Sequence, residues 1–255
     1  MNLSNPILIA QKEASSFRRT QGLSAAESLN IESLLLQLNV LTVFYPLGEA
    51  FGMAVKVPYK DSFLRFILVN NANRLGRQHF TICHELYHLF IQKDFTFKVC
   101  NQPLFSTNDK EEYNADLFAS YLLMPEEGLR KMILEQGLNL SNEVERLPII
   151  LKIEQYFGCS RQALLYRLYK MDCPELKFGS PLHTELSQNV TIQAQQYGYD
   201  INLYKPTNQK VIGNYGELSK RLFDTMKISE ARYASLMDEI FVNIYTPQYD
   251  ETKSE

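Results

Sequence analysis

Tryptophan is absent from this 255-residue sequence, and histidine and cysteine occur only 4 times each. Aromatic mass is therefore carried by single rings, 15 Tyr and 15 Phe. The cysteines, at 83, 100, 159 and 173, form no Cys-x-x-Cys pair, which points to reduced thiols in a cytosolic protein rather than a disulfide framework. Long apolar runs are also missing. No stretch approaches the roughly 18 residues of a transmembrane span. Pro6-Ile7-Leu8-Ile9-Ala10 is too short for a secretion signal, has no basic residue before it and passes directly into Gln11-Lys12-Glu13. Nor is there an excess of either charge: 26 Lys+Arg face 29 Asp+Glu, a net charge of −3, so no global attraction toward nucleic acid or an anionic membrane is expected. No internal repeat or low-complexity tract stands out. With 45% hydrophobic and 22% charged residues the composition is that of a soluble globular protein, expected in the cytoplasm.

What is present begins with helix. Asn5-Pro6 suits a cap and first turn, and Ser24 with Glu27 forms a capping-box signature for a second helix carrying Ala25, Leu29, Ile31, Leu34, Leu35 and Leu38. The period then changes to strand-like runs at 40–45, 51–57 and 63–70, separated by Pro46, Gly48, Pro58 and Asp61, which predict a small three-stranded antiparallel meander. Helices are predicted over about 77–92 and 109–123, with a polar loop from Asn101 to Asn108 between them. A helical pair follows around Phe157-Gly158, its second member offering Arg161 and Arg167. Beyond Asp172–Leu182, a linker candidate with Pro174, Gly179 and Pro181, weak strands are predicted at 191–196 and 201–205, and two helices between Tyr215 and Phe241.

The chemistry-bearing motif is His84-Glu85-Leu86-Tyr87-His88. Histidines at i and i+4 share one helix face, so both imidazoles can reach one metal, and Glu85 stands where its carboxylate can take a proton from an attacking water. This is a zinc-hydrolase arrangement. Phe80, Ile82, Cys83, Leu86, Leu89 and Phe90 make the helix otherwise apolar, so the polar groups need a partner that a metal supplies. A catalytic zinc takes three protein ligands. Candidates for the third are His183 and the acids Glu111, Glu112 and Asp116. Glu112 and Asp116 form a second i, i+4 pair, one suited to ligate and the other to accept a ring N–H from a ligand histidine, whereas Glu111 points a third of a turn away toward solvent.

Two stretches, Gly76-Arg77-Gln78-His79-Phe80-Thr81-Ile82-Cys83-His84-Glu85-Leu86-Tyr87-His88 and Glu112-x-x-Ala115-Asp116-x-Phe118-Ala119-x-x-Leu122-Leu123-Met124-Pro125, resemble the active-site segments of the ImmA/IrrE family of metallopeptidases. The resemblance implies one zinc ion held by His84, His88 and Glu112, with Glu85 as general base. The pairing also resembles the wider gluzincin arrangement, which maps the aspartate supporting a ligand histidine onto Asp116. His79 stands where the family commonly has arginine, Cys83 where it has alanine, Tyr87 where it has glycine and Asp116 where it has asparagine; none of these changes the ligand set. Weaker likeness extends to Phe66–Asn70, to the helical region around 157–168, and to the stretch from Gly213 through Tyr233, so roughly residues 25–240 are covered in outline.

The expected fold class is α+β: a mainly helical zincin-like core over residues 1–178, including a post-catalytic helical region at about 126–172, followed by an α/β appendage at 183–255 whose role the sequence leaves unassigned. The resemblance implies a zinc endopeptidase that cuts a specific intracellular protein, a helix-turn-helix repressor or antitoxin-like regulator encoded nearby, linking it to transcription regulation or toxin–antitoxin biology. Phe66, Ile67, Leu68, Val69 and Asn70 are the candidate strand for pairing with an extended substrate. His79, Tyr87, Tyr113 and Tyr121 are candidates by residue type for stabilising the oxyanion. The competing readings are a zinc-bearing regulator that binds protein or DNA without hydrolysis, and a toxin that hydrolyses something other than protein. The presence of Glu85, which a purely structural site does not need, argues against the first.

Overall fold

In the computed structural model, which describes residues 5–240, the chain runs α1 (Pro6–Thr20), α2 (Ile31–Gln37), β1 (Leu41–Tyr45), β2 (Gly52–Tyr59), β3 (Ser62–Asn70), α3 (Leu75–Phe90), β4 (Phe97–Cys100), α4 (Lys110–Leu123), α5 (Glu126–Gln136), α6 (Arg146–Phe157), α7 (Arg161–Lys170), α8 (Pro181–Ser187), α9 (Val190–Gln196), β5 (Lys210–Ile212), α10 (Tyr215–Asp224) and α11 (Glu230–Ile240). The α+β class holds, but the sheet is not a three-stranded antiparallel meander. It has five strands in the order β4-β2-β3-β1-β5. β1 lies parallel to β3, and the other pairs are antiparallel. The reason lies at the end of β3. The Asn70 amide donates to the carbonyls of Gly48 (2.9 Å) and Ala50 (2.7 Å), which carries the β1–β2 connection over β3 instead of back along β1. β4 and β5 escaped sequence reading because runs of four and three residues have too few alternations to declare a period.

This topology corrects the choice of substrate-pairing strand. Phe66–Asn70 pairs with β1 on one side and β2 on the other, so its backbone groups are already used. The sheet edges are β4 and β5.

α3 packs on β2 and β3 and against α4, and α4 packs against α1 as well. From Phe80 to Leu89 every residue of α3 is buried, as expected for a helix enclosed on all sides. The helix predicted from Ser24 does not form there. The buried Arg18 guanidinium donates to the carbonyls of Ser24 (2.7 Å), Glu27 (2.5 Å) and Leu122 (2.6 Å), so carbonyls that a helix would need are bound by a side chain. Helix resumes at Ile31, capped by the Asn30 side chain. Ser24 Oγ still caps Ala26 N and Glu27 N, but only as a turn.

The weak strands predicted at 191–196 and 201–205 are α9 and a 3-10 turn at Ile201–Tyr204. Val190 and Ala194, four residues apart, bury one helical face with Leu151 and Leu203. The stretch after residue 183 supplies β5, whose Ile212 pairs with Thr42 of β1. It is also tied to the start of α3, where Leu75 N donates to Lys205 O (2.8 Å), and the Asn71 amide donates to Thr207 O (2.9 Å). Residues 241–255 of the expected appendage lie outside the described residues. In the α6–α7 pair, Arg161 and Arg167 are buried in ion pairs with Glu154 and Glu126. All four cysteines are free thiols, and among the described residues no helix is long and apolar enough to cross a membrane.

Candidate metal centre

His84 and His88 stand one turn apart on α3, and Glu112 faces them from the first turn of α4. That turn is set by Asp109, whose side chain caps the backbone N–H groups of Glu111 and Glu112. A carboxylate in the first turn also sits at the positive end of its helix. His84 Nδ1 donates to Asp116 Oδ1 at 2.8 Å, and His88 Nδ1 donates to Gln92 Oε1 at 2.5 Å. With both Nδ1 protons so placed, the two Nε2 atoms of neutral imidazoles are left as acceptors. They lie 3.1 Å apart, each 3.3 Å from an oxygen of Glu112. Two facing lone pairs beside a carboxylate call for a cation. Ligand atoms around a tetrahedral ion with bonds of about 2.1 Å are about 3.4 Å apart, so this triad fits a small divalent metal. The three residues are 1–3% exposed.

The electrostatics agree. Burial opposes charge on His84, yet Cys100, Asp116 and Glu112 around it raise its pKa well above the usual value: the cluster attracts positive charge. Burial pushes Glu112 upward, but hydrogen bonds involving His84, His88 and Lys98 hold it well below the ordinary carboxylate range. Asp116 keeps its second oxygen for the backbone N–H of Phe105 (2.5 Å), which adopts a left-handed conformation (φ 58°) on the loop between β4 and α4. A phenylalanine held at that φ is strained by about 1–3 kcal/mol, and its stacked contact with Tyr166 helps hold it there.

Glu85 is completely buried, and neither carboxylate oxygen has a hydrogen-bond partner among the described residues. Burial pushes its carboxyl up to about 8, with His84 opposing. Gly52 of β2 makes room for it: a Cβ there would lie 3.0 Å from Glu85 Oε1 and 2.5 Å from Thr81 Cγ2.

The four candidates for oxyanion stabilisation are directed elsewhere. His79 Nδ1 donates to Gly158 O (2.8 Å) at the α6–α7 turn. The Tyr87 hydroxyl donates to Glu111 (2.9 Å), which is therefore bound rather than simply facing solvent. Tyr113 meets the Tyr166 hydroxyl at 3.4 Å, and the Tyr121 ring lies 3.7 Å from the Arg167 guanidinium. His183 is on α8, away from the triad. Sequence reading missed three neighbours. Gln92 orients His88; Cys100 comes within ligand distance of His84 and Glu85; and Lys98 Nζ lies 2.9 Å from Glu112 Oε1 and 2.7 Å from Asp109 Oδ2. Lys98 and Cys100, two residues apart on β4, share the face toward α3 and α4, a signal hidden in a strand too short to recognise.

Residues 37–169 match the model of the IrrE N-terminal-like domain, a peptidase family. The chain belongs to this family. The match runs from the end of α2 into α7 and contains every residue of the centre just described. Metallopeptidase ImmA of Bacillus subtilis (strain 168) is 38% identical over 90 residues, which are 34% of this chain and 49% of that protein. The alignment thus spans about half the length of the curated relative. Membership of this ImmA/IrrE family of metallopeptidases implies a bound metal ion, and His84, His88 and Glu112 are the residues suited to hold it.

Proposed function

We propose that this protein is a zinc-dependent endopeptidase of the cytoplasm that cuts a specific protein, a helix-turn-helix repressor or antitoxin-like regulator encoded near it. The observation that carries the peptidase reading is the meeting of two Nδ1-anchored histidines and Glu112 beside a buried, unpartnered Glu85. A structural metal site has no use for that fourth group. The substrate class rests on the family alone.

In this reading His84, His88 and Glu112 hold zinc, and Asp116 and Gln92 fix the tautomers and orientations of the two rings. Zinc, when bound, supplies the Lewis acidity that polarises a peptide carbonyl and acidifies water. Glu85 accepts the proton of the attacking water and delivers it to the leaving amine. Its burial keeps the carboxylate poorly solvated, which strengthens its pull on that proton. Lys98 balances the charge of Glu112 and holds its carboxylate from the β4 side.

β4 takes the substrate-pairing role first given to β3. Lys56 N donates to Thr96 O, and Lys56 follows the β2–β4 register, so the backbone groups of Lys98 and Cys100 point to β2 while those of Phe97 and Val99 point to the free edge. An extended peptide on that edge would pass the side chains of Lys98 and Cys100 at the centre. The test is incubation of the zinc-loaded protein, native and Glu85→Gln, with the repressor-like protein encoded beside it. Cleavage by the native protein alone supports the reading; equal cleavage by both, or by neither with zinc bound, overturns it.

A further inference from the structure

At the start of α3 the protein carries a half-open cavity of about 560 Å³ lined by Phe51, Arg74, Arg77, Leu104, Arg161 and Phe178, among others, and no aspartate or glutamate is among the lining residues. In a chain with net charge −3, a wall carrying three arginines and no acid of its own is a local reversal of sign, which Arg74 and Arg77 retain once Arg161 is matched by Glu154. Arg161 is taken by Glu154, by the carbonyl of Leu186 and by Gln193. Arg77 is not satisfied in this way. Its guanidinium carbon lies over the Phe51 ring, 4.1 Å from the centroid, and its Nε is shielded from solvent without a hydrogen-bond partner among the described residues. Asp116, whose charge reaches Arg77, has given its oxygens to His84 and to Phe105 N. A half-buried cation whose shielded Nε has no acceptor costs free energy that a bound anion would recover.

The walls decide which anion. Phe51, Leu104 and Phe178 are apolar, and Arg77 offers one guanidinium, with Arg74 exposed at the rim. A polyphosphate is normally met by several free donors, whereas one planar fork among apolar side chains suits one carboxylate on an apolar chain. Position links the cavity to the reaction. Arg77 precedes His84 by seven residues on α3, about 10 Å along the axis, a distance an extended peptide covers in about three residues. Phe51 N donates to Cys100 O (2.8 Å), so this wall stands at the end of the free-edged strand β4.

Resting on the peptidase reading above, we propose that this cavity is a substrate subsite for the side-chain carboxylate of an aspartate or glutamate flanked by apolar residues, about three residues from the bond that is cut. Arg77 is then a specificity-determining residue, and the segment carrying Phe178, His183 and Leu203 forms the outer wall of the subsite.

The test measures binding, so it does not depend on turnover. Zinc-loaded Glu85→Gln protein is titrated with N-acetyl-Leu-Leu-Glu-Leu-Leu-amide and with the same peptide carrying Gln. The Glu peptide should bind at least fivefold tighter, and the preference should vanish in an added Arg77→Met, whose unbranched chain still covers Phe51. Gln162→Glu, an exposed change that places an acid on the cavity wall, should abolish it as well, and covers the case in which Arg77→Met fails to fold. Equal affinity for the two peptides, or a preference that survives Gln162→Glu, overturns the proposal. So does displacement of the Glu peptide by inorganic phosphate at concentrations below the peptide's own Kd, which would mark a phosphate site. These outcomes stand apart from the peptidase reading, which is judged by whether native protein and Glu85→Gln differ in cleavage.

Discussion

Asp116 accepts the Nδ1 proton of His84 at 2.8 Å, reaching from α4 to α3. That bond fixes which ring nitrogen of His84 faces Glu112, and the Phe105 N–H fixes Asp116 in turn. The candidate metal site therefore rests on a relay from a strained loop residue through a carboxylate to an imidazole. Removing a group that orients a ligand typically weakens metal binding by about 10–100-fold. Asp116→Ala should do this while leaving a site that fills at high zinc, whereas His84→Ala or Glu112→Ala should empty it. Competition against a chromogenic chelator measures both, and full occupancy in Glu112→Ala would remove that residue from the ligand set.

Glu85 touches none of the ligands through a hydrogen bond, so its loss separates chemistry from metal binding. Glu85→Gln should retain zinc and lower kcat by about 10²–10⁴-fold, the usual contribution of a general base. Metal analysis and turnover on one preparation decide the point.

Proline at 99 tests the edge strand. Its ring removes an N–H that points away from β2, so the sheet should keep its internal bonds, as edge strands commonly tolerate proline. Val99→Pro should raise KM at least several-fold with zinc content unchanged. An unaltered KM would place the substrate elsewhere.

A methyl group at Gly52 would collide with Thr81 and crowd Glu85. Gly52→Ala should cost about 1–3 kcal/mol of stability, the usual range for overpacking, and disturb the base at the same time. Chemical denaturation and turnover should fall together.

Arg18 tests the fold away from the centre. Arg18→Met strips three carbonyls of a charged donor. The Leu122 bond is buried and the other two are part-buried, so at about 1–3 kcal/mol for a buried acceptor left unpaired the loss should be about 2 kcal/mol, visible as a lowered denaturation midpoint with zinc affinity retained.

His84, Glu85, His88, Glu112 and Asp116 were legible because each pair obeys helical spacing: residues four apart on a helix share a face whatever else the chain does. The presence of α3 and α4 followed from local pattern as well, though α3 runs Leu75–Phe90 rather than about 77–92. What local rules could not decide was anything requiring two distant segments to compete for one backbone. Ser24 carries a sound capping signal, yet Arg18 binds the carbonyls that follow it. Phe66–Asn70 reads as a strand and is one, but only the crossing held by Asn70 makes it central, moving the free edge to β4. Tyr87, Tyr113 and Tyr121 have the right chemistry, and their hydroxyls or rings are claimed by Glu111, Tyr166 and Arg167. Lys98 and Cys100 enter the centre only because β4 lies against β2. Spacing along the chain thus determined which groups meet in the candidate site, while long-range hydrogen bonding and packing, which no local pattern encodes, decided their surroundings.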